Sequence, residues 1–196
     1  FGCAFQTPGA FNQWATQAGP QHIIGSNGEF LNSYGAFGTP GDFDNDGDID
    51  VVIGVRNTGS IGDPTFGPLK IWWNGGYNVP GDGSSGTLVT IYNSGVICNS
   101  RNMDAGDIDM DGDLDLIISG CGTYVFQNNG NGTFTQGMYH MFDAWGSGML
   151  ELMDLDRDGD LDFVHAGGAY GWHENPGDGQ FTAASYREID SPGDYA

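Results

Sequence analysis

The sequence predicts an all-β fold built from repeats, and two observations carry that prediction. A nine-residue acidic stretch occurs three times: DFDNDGDID at 42–50, DIDMDGDLD at 107–115 and DLDRDGDLD at 154–162. Each copy runs straight into a short apolar segment, VVIGV, LIISG or FVHAG. The second observation is compositional. Glycine supplies 35 of 196 residues, whereas Lys and Arg together supply 5. Glycine weakens helix interiors, and the long charged side chains that clothe exposed helices are scarce, so short strands joined by turns fit better.

The acidic stretch reads as a cation-binding turn. Asp occupies positions 1, 3, 5, 7 and 9, and Gly47, Gly112 or Gly159 occupies position 6, where a sharp bend needs a residue free of a Cβ. Alternate carboxylates on a tight turn converge on one point, and calcium is a hard cation that takes about six to eight oxygen ligands. The expected side-chain ligands are Asp42, Asp44, Asp46 and Asp50; Asp107, Asp109, Asp111 and Asp115; and Asp154, Asp156, Asp158 and Asp162. At position 7, Asp48, Asp113 and Asp160 are expected to offer their backbone carbonyls. About three Ca²⁺ ions are therefore expected. Magnesium prefers a small octahedron that keeps its waters. Zinc and copper favour His or Cys, and the loops hold neither. A helix–loop–helix calcium site would need a Glu at position 12, where this chain has Ile53, Ile118 and His165. An apolar run follows each loop at once, so the loop is expected to join two strands.

Charge narrows the function. The formal net charge is −21, and five Asp in each of three loops make up more than half of the 26 acidic residues. Such a surface suits neither nucleic acid nor anionic membranes, both of which call for Lys and Arg. No apolar run approaches the roughly 20 residues of a membrane span. Extracellular calcium modules bind weakly, where the ion is plentiful. A chain opening on Phe1 reads as a processed or excised segment, and the expected location is extracellular, secreted or cell-surface. Cys3, Cys98 and Cys121 are odd in number; Cys98 and Cys121 pairing within one repeat and three buried thiols both stay open. Asn131-Gly132-Thr133 is the single N-glycosylation sequon, placed in a turn.

Along the chain, the stretches IIGSNGEFLNS (23–33), FQNNGNGTFTQG (126–137) and WHENPGDGQFTAAS (172–185) share a plan of strand, Asn-Gly or Asp-Gly turn, then Phe opening another strand. The first repeat spans 34–99, with LKIWWN (69–74) and TLVTIYNSG (87–95) as strands and long polar connections at 56–68 and 75–86. The second spans 100–146, with TYVFQN and FTQGMYHMF as strands. The third spans 147–190, with AYGWHEN and FTAASYREI. The chain then ends in SPGDYA (191–196), which matches TPGDFD (39–44) at the start of the first loop.

Three DxDxDGDxD loops, each followed by an apolar strand and later by an aromatic, Asn/Asp-Gly and Phe, resemble the FG-GAP/VCBS repeats of integrin-α-like propellers. That resemblance implies a small β-propeller of four-stranded antiparallel blades, with calcium loops between the first and second strands of three blades. It also implies that the Asp ligands named above hold the ions. Such propellers usually have more blades than this chain, which has sequence for about four. The expectation is one domain over 1–196, with 1–33 and 191–196 sharing a closing blade. The alternatives are a slice of a longer chain, or neighbouring copies that complete each other.

No catalytic constellation is visible. There is no GxSxG and no HExxH, and His22, His140, His165 and His173 are scattered. His165 reads as a packed or rim residue; His173, with Glu174 beside Trp172, reads either as part of a ligand-contacting trio or as an exposed strand end. Trp14, Trp72, Trp73, Trp145 and Trp172 read mainly as blade packing, with sugar stacking as the alternative. Adjacent Trp72 and Trp73 must point to opposite faces of a strand. The expected function is a non-enzymatic, calcium-stabilised adhesion or assembly module whose partners are other subunits or surface proteins. A glycan-binding lectin and an accessory domain of a secreted enzyme are the alternatives.

Overall fold

Twelve short strands carry the described part of the chain, which covers residues 36–55, 68–79, 81, 86–92, 102–119, 122–140, 149–166 and 170–190 of a computed structural model. They form three antiparallel four-stranded sheets in chain order. The first holds β1 (Ala36–Gly41), β2 (Asp50–Val55), β3 (Leu69–Asn74) and β4 (Gly86–Tyr92). The second holds β5 (Asn102–Gly106), β6 (Asp115–Ser119), β7 (Thr123–Asn128) and β8 (Phe134–His140). The third holds β9 (Met149–Met153), β10 (Asp162–Ala166), β11 (Tyr170–His173) and β12 (Tyr186–Asp190). The described residues include no α-helix, in line with the glycine content. Every acidic loop joins two strands, the first of a sheet to its second, as the resemblance implies.

Burial follows the stacking of the sheets. In β3, Leu69, Ile71 and Trp73 are buried and the residues between them only half so, because one face meets the second sheet. Trp72 and Trp73 thus part to opposite faces. In β6 the alternation vanishes and all five residues are buried, because that sheet is covered on both sides. Its neighbours lie along two apolar seams. Phe43, Val52, Ile71 and Trp73 meet Leu116, Ile118, Tyr124 and Phe126 in one. Ile117 and Val125 meet Leu150, Phe163 and Phe181 in the other. The first strands lie side by side, β1 by β5 and β5 by β9.

Several expectations change. About four blades were expected, and the described sheets number three and do not close a ring. The residues assigned to a closing blade, 1–33 and 191–196, lie outside the described residues, as do Cys3, Cys98, Cys121, Trp14, Trp145, His22 and most of the 56–68 connection. The strand expected from Phe181 begins at Tyr186. Phe181 instead turns into the seam, edge-on to Phe163 with 4.8 Å between ring centroids, and a short 3-10 turn (Ala183–Ser185) follows it. His173 is fully buried rather than at an exposed end; its ring stacks on Phe163 at 4.5 Å. His165 is buried, as a packed residue should be.

Candidate metal centre

The three loops fold alike because the same positions bend the same way. Position 4 is left-handed in each: Asn45 at φ 58°, Met110 at 61° and Arg157 at 67°. Position 6 follows at 98°, 97° and 105° in Gly47, Gly112 and Gly159, where a Cβ is disfavoured by the backbone itself. Two left-handed residues with one residue between them curl the chain so that its carboxylates face inward.

Position 9 anchors each loop. Asp50 accepts from the N–H of Phe43 (3.1 Å) and of Asn74 (2.9 Å). Asp115 accepts from Ile108 (3.0 Å) and Asn128 (2.8 Å), and Asp162 from Leu155 (3.0 Å) and Asn175 (2.9 Å). One carboxylate oxygen thus holds the loop's own second residue, and the other holds the residue at or just past the end of the third strand. These carboxyls are buried. Burial pushes Asp50 and Asp115 up to about 6, although the two N–H donors pull the other way. The neighbouring carboxylates add to the rise.

The side chains at positions 1, 3 and 9 converge. Asp42, Asp44 and Asp50 bring carboxylate oxygens within 4.8 Å of one another, as do Asp107, Asp109 and Asp115, and Asp154, Asp156 and Asp162. Position 5 is not in these trios. One oxygen of Asp46, Asp111 and Asp158 accepts the position-7 N–H, at 3.0, 2.9 and 3.3 Å. Position-7 side chains serve elsewhere: Asp48 accepts from Gly81 N–H (2.7 Å), and Asp113 from the Asn45 side chain of the neighbouring loop (2.7 Å). Burial first, then repulsion from Asp158, raises Asp160 to about 6.

The fit to a hard cation can be judged from the oxygens that the fold leaves over. Buried carboxylate oxygens of Asp46, Asp107, Asp109 and Asp160 have no hydrogen-bond partner. A buried anionic oxygen with no donor is costly, and a bound cation removes that cost. Burial raises Asp44 and Asp109 as well, so the sites resist carrying full negative charge alone. An all-oxygen, multi-carboxylate set suits Ca²⁺. Positions 1, 3 and 9 would hold it, with the free oxygen of Asp46 beside them in the first loop.

Sequence reasoning missed the asparagines at or just past the ends of the third strands. Asn128 Nδ2 donates to Phe43 O of the preceding loop (2.8 Å) and to Leu114 O of its own (3.3 Å). Asn175 repeats this with Ile108 O (2.8 Å) and Leu161 O (3.0 Å). Each side chain therefore bolts one loop to the next across a seam. The signal was present: IWWN, VFQN and WHEN end alike.

Residues 42–118, from the first loop into β6, match a family model described as an FG-GAP-like repeat. No curated protein and no solved structure matches the chain. No helix among the described residues is long and apolar enough to cross a membrane.

Proposed function

We propose, for a chain that carries an FG-GAP-like repeat over residues 42–118, that it is a non-enzymatic extracellular module. Calcium stiffens it, and its finished surface serves adhesion or assembly with other protein subunits. One observation carries this reading. At each described seam, a converging carboxylate trio sits beside an asparagine that ties adjacent loops together. A cation held there would fix how one sheet sits on the next, which is a scaffold's requirement. The position-9 carboxylates are buried and accept backbone N–H groups, which makes them part of the turn itself.

The test is a thermal melt in excess chelator, in millimolar Ca²⁺ and in matched Mg²⁺. Binding to the folded state alone raises the midpoint by mass action. The expected order is Ca²⁺ well above Mg²⁺ and chelator, and equal midpoints in all three would overturn the calcium reading. Sedimentation of the calcium-loaded chain tests assembly, where a monomer at every concentration counts against it.

A further inference from the structure

The sheets have three rim strands, and these are not alike. The first strands lie side by side, β1 by β5 and β5 by β9, so the fourth strand of each sheet is its rim edge. Among the described residues, β4, β8 and β12 each pair only with the third strand of their own sheet. An edge strand turns a row of backbone N–H and C=O groups outward, and a further strand can add to it; charge, a bulge or brevity blunts such an edge. In β12 the charges are Arg187, Glu188 and Asp190, and a bulge lies opposite Tyr170 and Gly171. The ladder of β8 breaks between Gln136 and Tyr139.

Neither device protects most of β4. Its sequence, GTLVTIY, holds no charged residue and no proline, and four of its seven residues are β-branched. Uncharged, β-prone segments of this length pair readily with their own copies. From Gly86 to Thr90 the strand follows β3 without a break. Thr87, Val89 and Thr90 are exposed, Val89 by 37 %. Charge decides what fits there. A basic partner is drawn to the acidic loops, whereas a copy of this chain, at −21, is repelled by them. The uncharged rim strand is where two such copies approach at least electrostatic cost. The one charge on the strand behind it is a cation, Lys70, opposite Thr90.

We propose that β4 is a self-assembly edge. Two copies of the chain join their first sheets antiparallel through Gly86–Tyr92 and form one continuous eight-stranded sheet. Centred on Val89, the pairing sets Val89 opposite Val89, Leu88 opposite Thr90 and Thr87 opposite Ile91, so the two sheets keep their faces in phase. This gives the assembly module proposed above, on which reading it rests, a partner and a surface. The first acidic loop helps to place the strand: Asp44 and Asp48 accept from the N–H groups of Asn78 and Gly81, in the connection that leads to β4.

Sedimentation in saturating Ca²⁺ tests this with the parent chain, Val89→Glu, Val89→Lys and an equimolar mixture of the two variants. Like charges meet at the centre of a symmetric pair, and opposite charges meet in the mixed pair. Each variant alone should dimerise at least about tenfold more weakly than the parent, and the mixture more tightly than either. If the parent dimerises and both variants do so equally well, the edge is overturned while the assembly reading stands. A mixture no tighter than its components overturns it in the same way. A parent that stays monomeric at every concentration removes both. Should a variant not fold, as judged by its thermal melt, Val89→Cys replaces it. Mild oxidation should then join position 89 of two chains, with peptide mapping to separate that bond from Cys3, Cys98 and Cys121, and no such bond overturns the pairing.

Discussion

Asn175 joins two loops with one amide, and its loss should be felt far beyond its size. Its Nδ2 supplies Ile108 O and Leu161 O, while its Oδ1 accepts from the N–H groups of Gly177 and Gly179, both at 3.1 Å. Asn175→Ala strands two carbonyls and two N–H groups at a buried position, for which about 2–4 kcal/mol is expected. The urea midpoint should fall with an unchanged slope, in chelator as well as in calcium, because none of these bonds involves the metal. Asn175→Asp keeps the acceptor but turns a second acceptor toward the two carbonyls, so it should be no better than Ala. A midpoint within error of the parent would remove the bolt from the account. Gly112→Ala probes the other residue-scale device. Nothing lies within 4 Å of a Cβ there, yet φ is +97°, so the cost of about 1–2 kcal/mol should come from the backbone alone. The glycine was legible in the sequence because its requirement is local. The asparagine was not read, although it recurs, because its partners are separated from it by up to 67 residues and only the fold brings them near.

The loop as an element is a cation trap whose stability depends on pH in a direction that metal reverses. Burial lifts Asp50, Asp115 and Asp160 from an ordinary 3.8 to about 6 in the fold. A carboxyl with a raised folded pKa holds its proton longer when folded than when unfolded. Without metal, the folded state is therefore favoured at low pH, and that advantage is lost as pH rises from about 4 through 6. For Asp50 and Asp115 the loss, after solvent screening, should be of the order of 1–2 kcal/mol each, flattening above pH 7. Saturating Ca²⁺ needs the ionised forms, so its stabilisation should grow over the same window. Melts in chelator and in calcium between about pH 4.5 and 7.5 check both slopes, and a chelated midpoint that rises with pH would contradict the buried-carboxylate picture. Elements that obey local rules were legible: LKIWWN and TYVFQN are β3 and β7 to the residue. Phe181 was misread because Phe after a turn suits a strand. Its place in the fold is set by the neighbouring sheet, whose Ile108 it covers, and that contact lies outside any local window.

At the scale of the whole molecule, charge and stacking oppose each other. The chain carries −21, and its loops line up along the seams closely enough for Asn45 of one to reach Asp113 of the next. Repulsion therefore acts between loops as well as within them, and only a few cations of the chain, five Lys and Arg in all, answer it. Burial of Phe43, Ile108 and their neighbours holds the sheets together against that repulsion. Monovalent salt and calcium should relieve it by different routes. Salt screens at a distance: the Debye length contracts from about 20–30 Å near 0.01–0.02 M to about 4 Å near 0.5 M. It weakens repulsion between loops without entering a trio. Calcium neutralises the trio itself, where oxygens lie within 4.8 Å, too close for screening by mobile ions to be efficient. In chelator, then, raising NaCl across that range should raise the thermal midpoint by several degrees. In saturating calcium the same change should do much less, since the charges that salt would screen are already paired. Salt should also fail to reach the calcium-loaded midpoint at any concentration that leaves hydrophobic burial unaltered. Melts on a grid of NaCl against calcium measure the two effects together. Equal salt slopes with and without calcium would mean that the loops are not where the molecule's electrostatic strain resides. A chelated protein that melts alike at both ends of the salt range would mean the same.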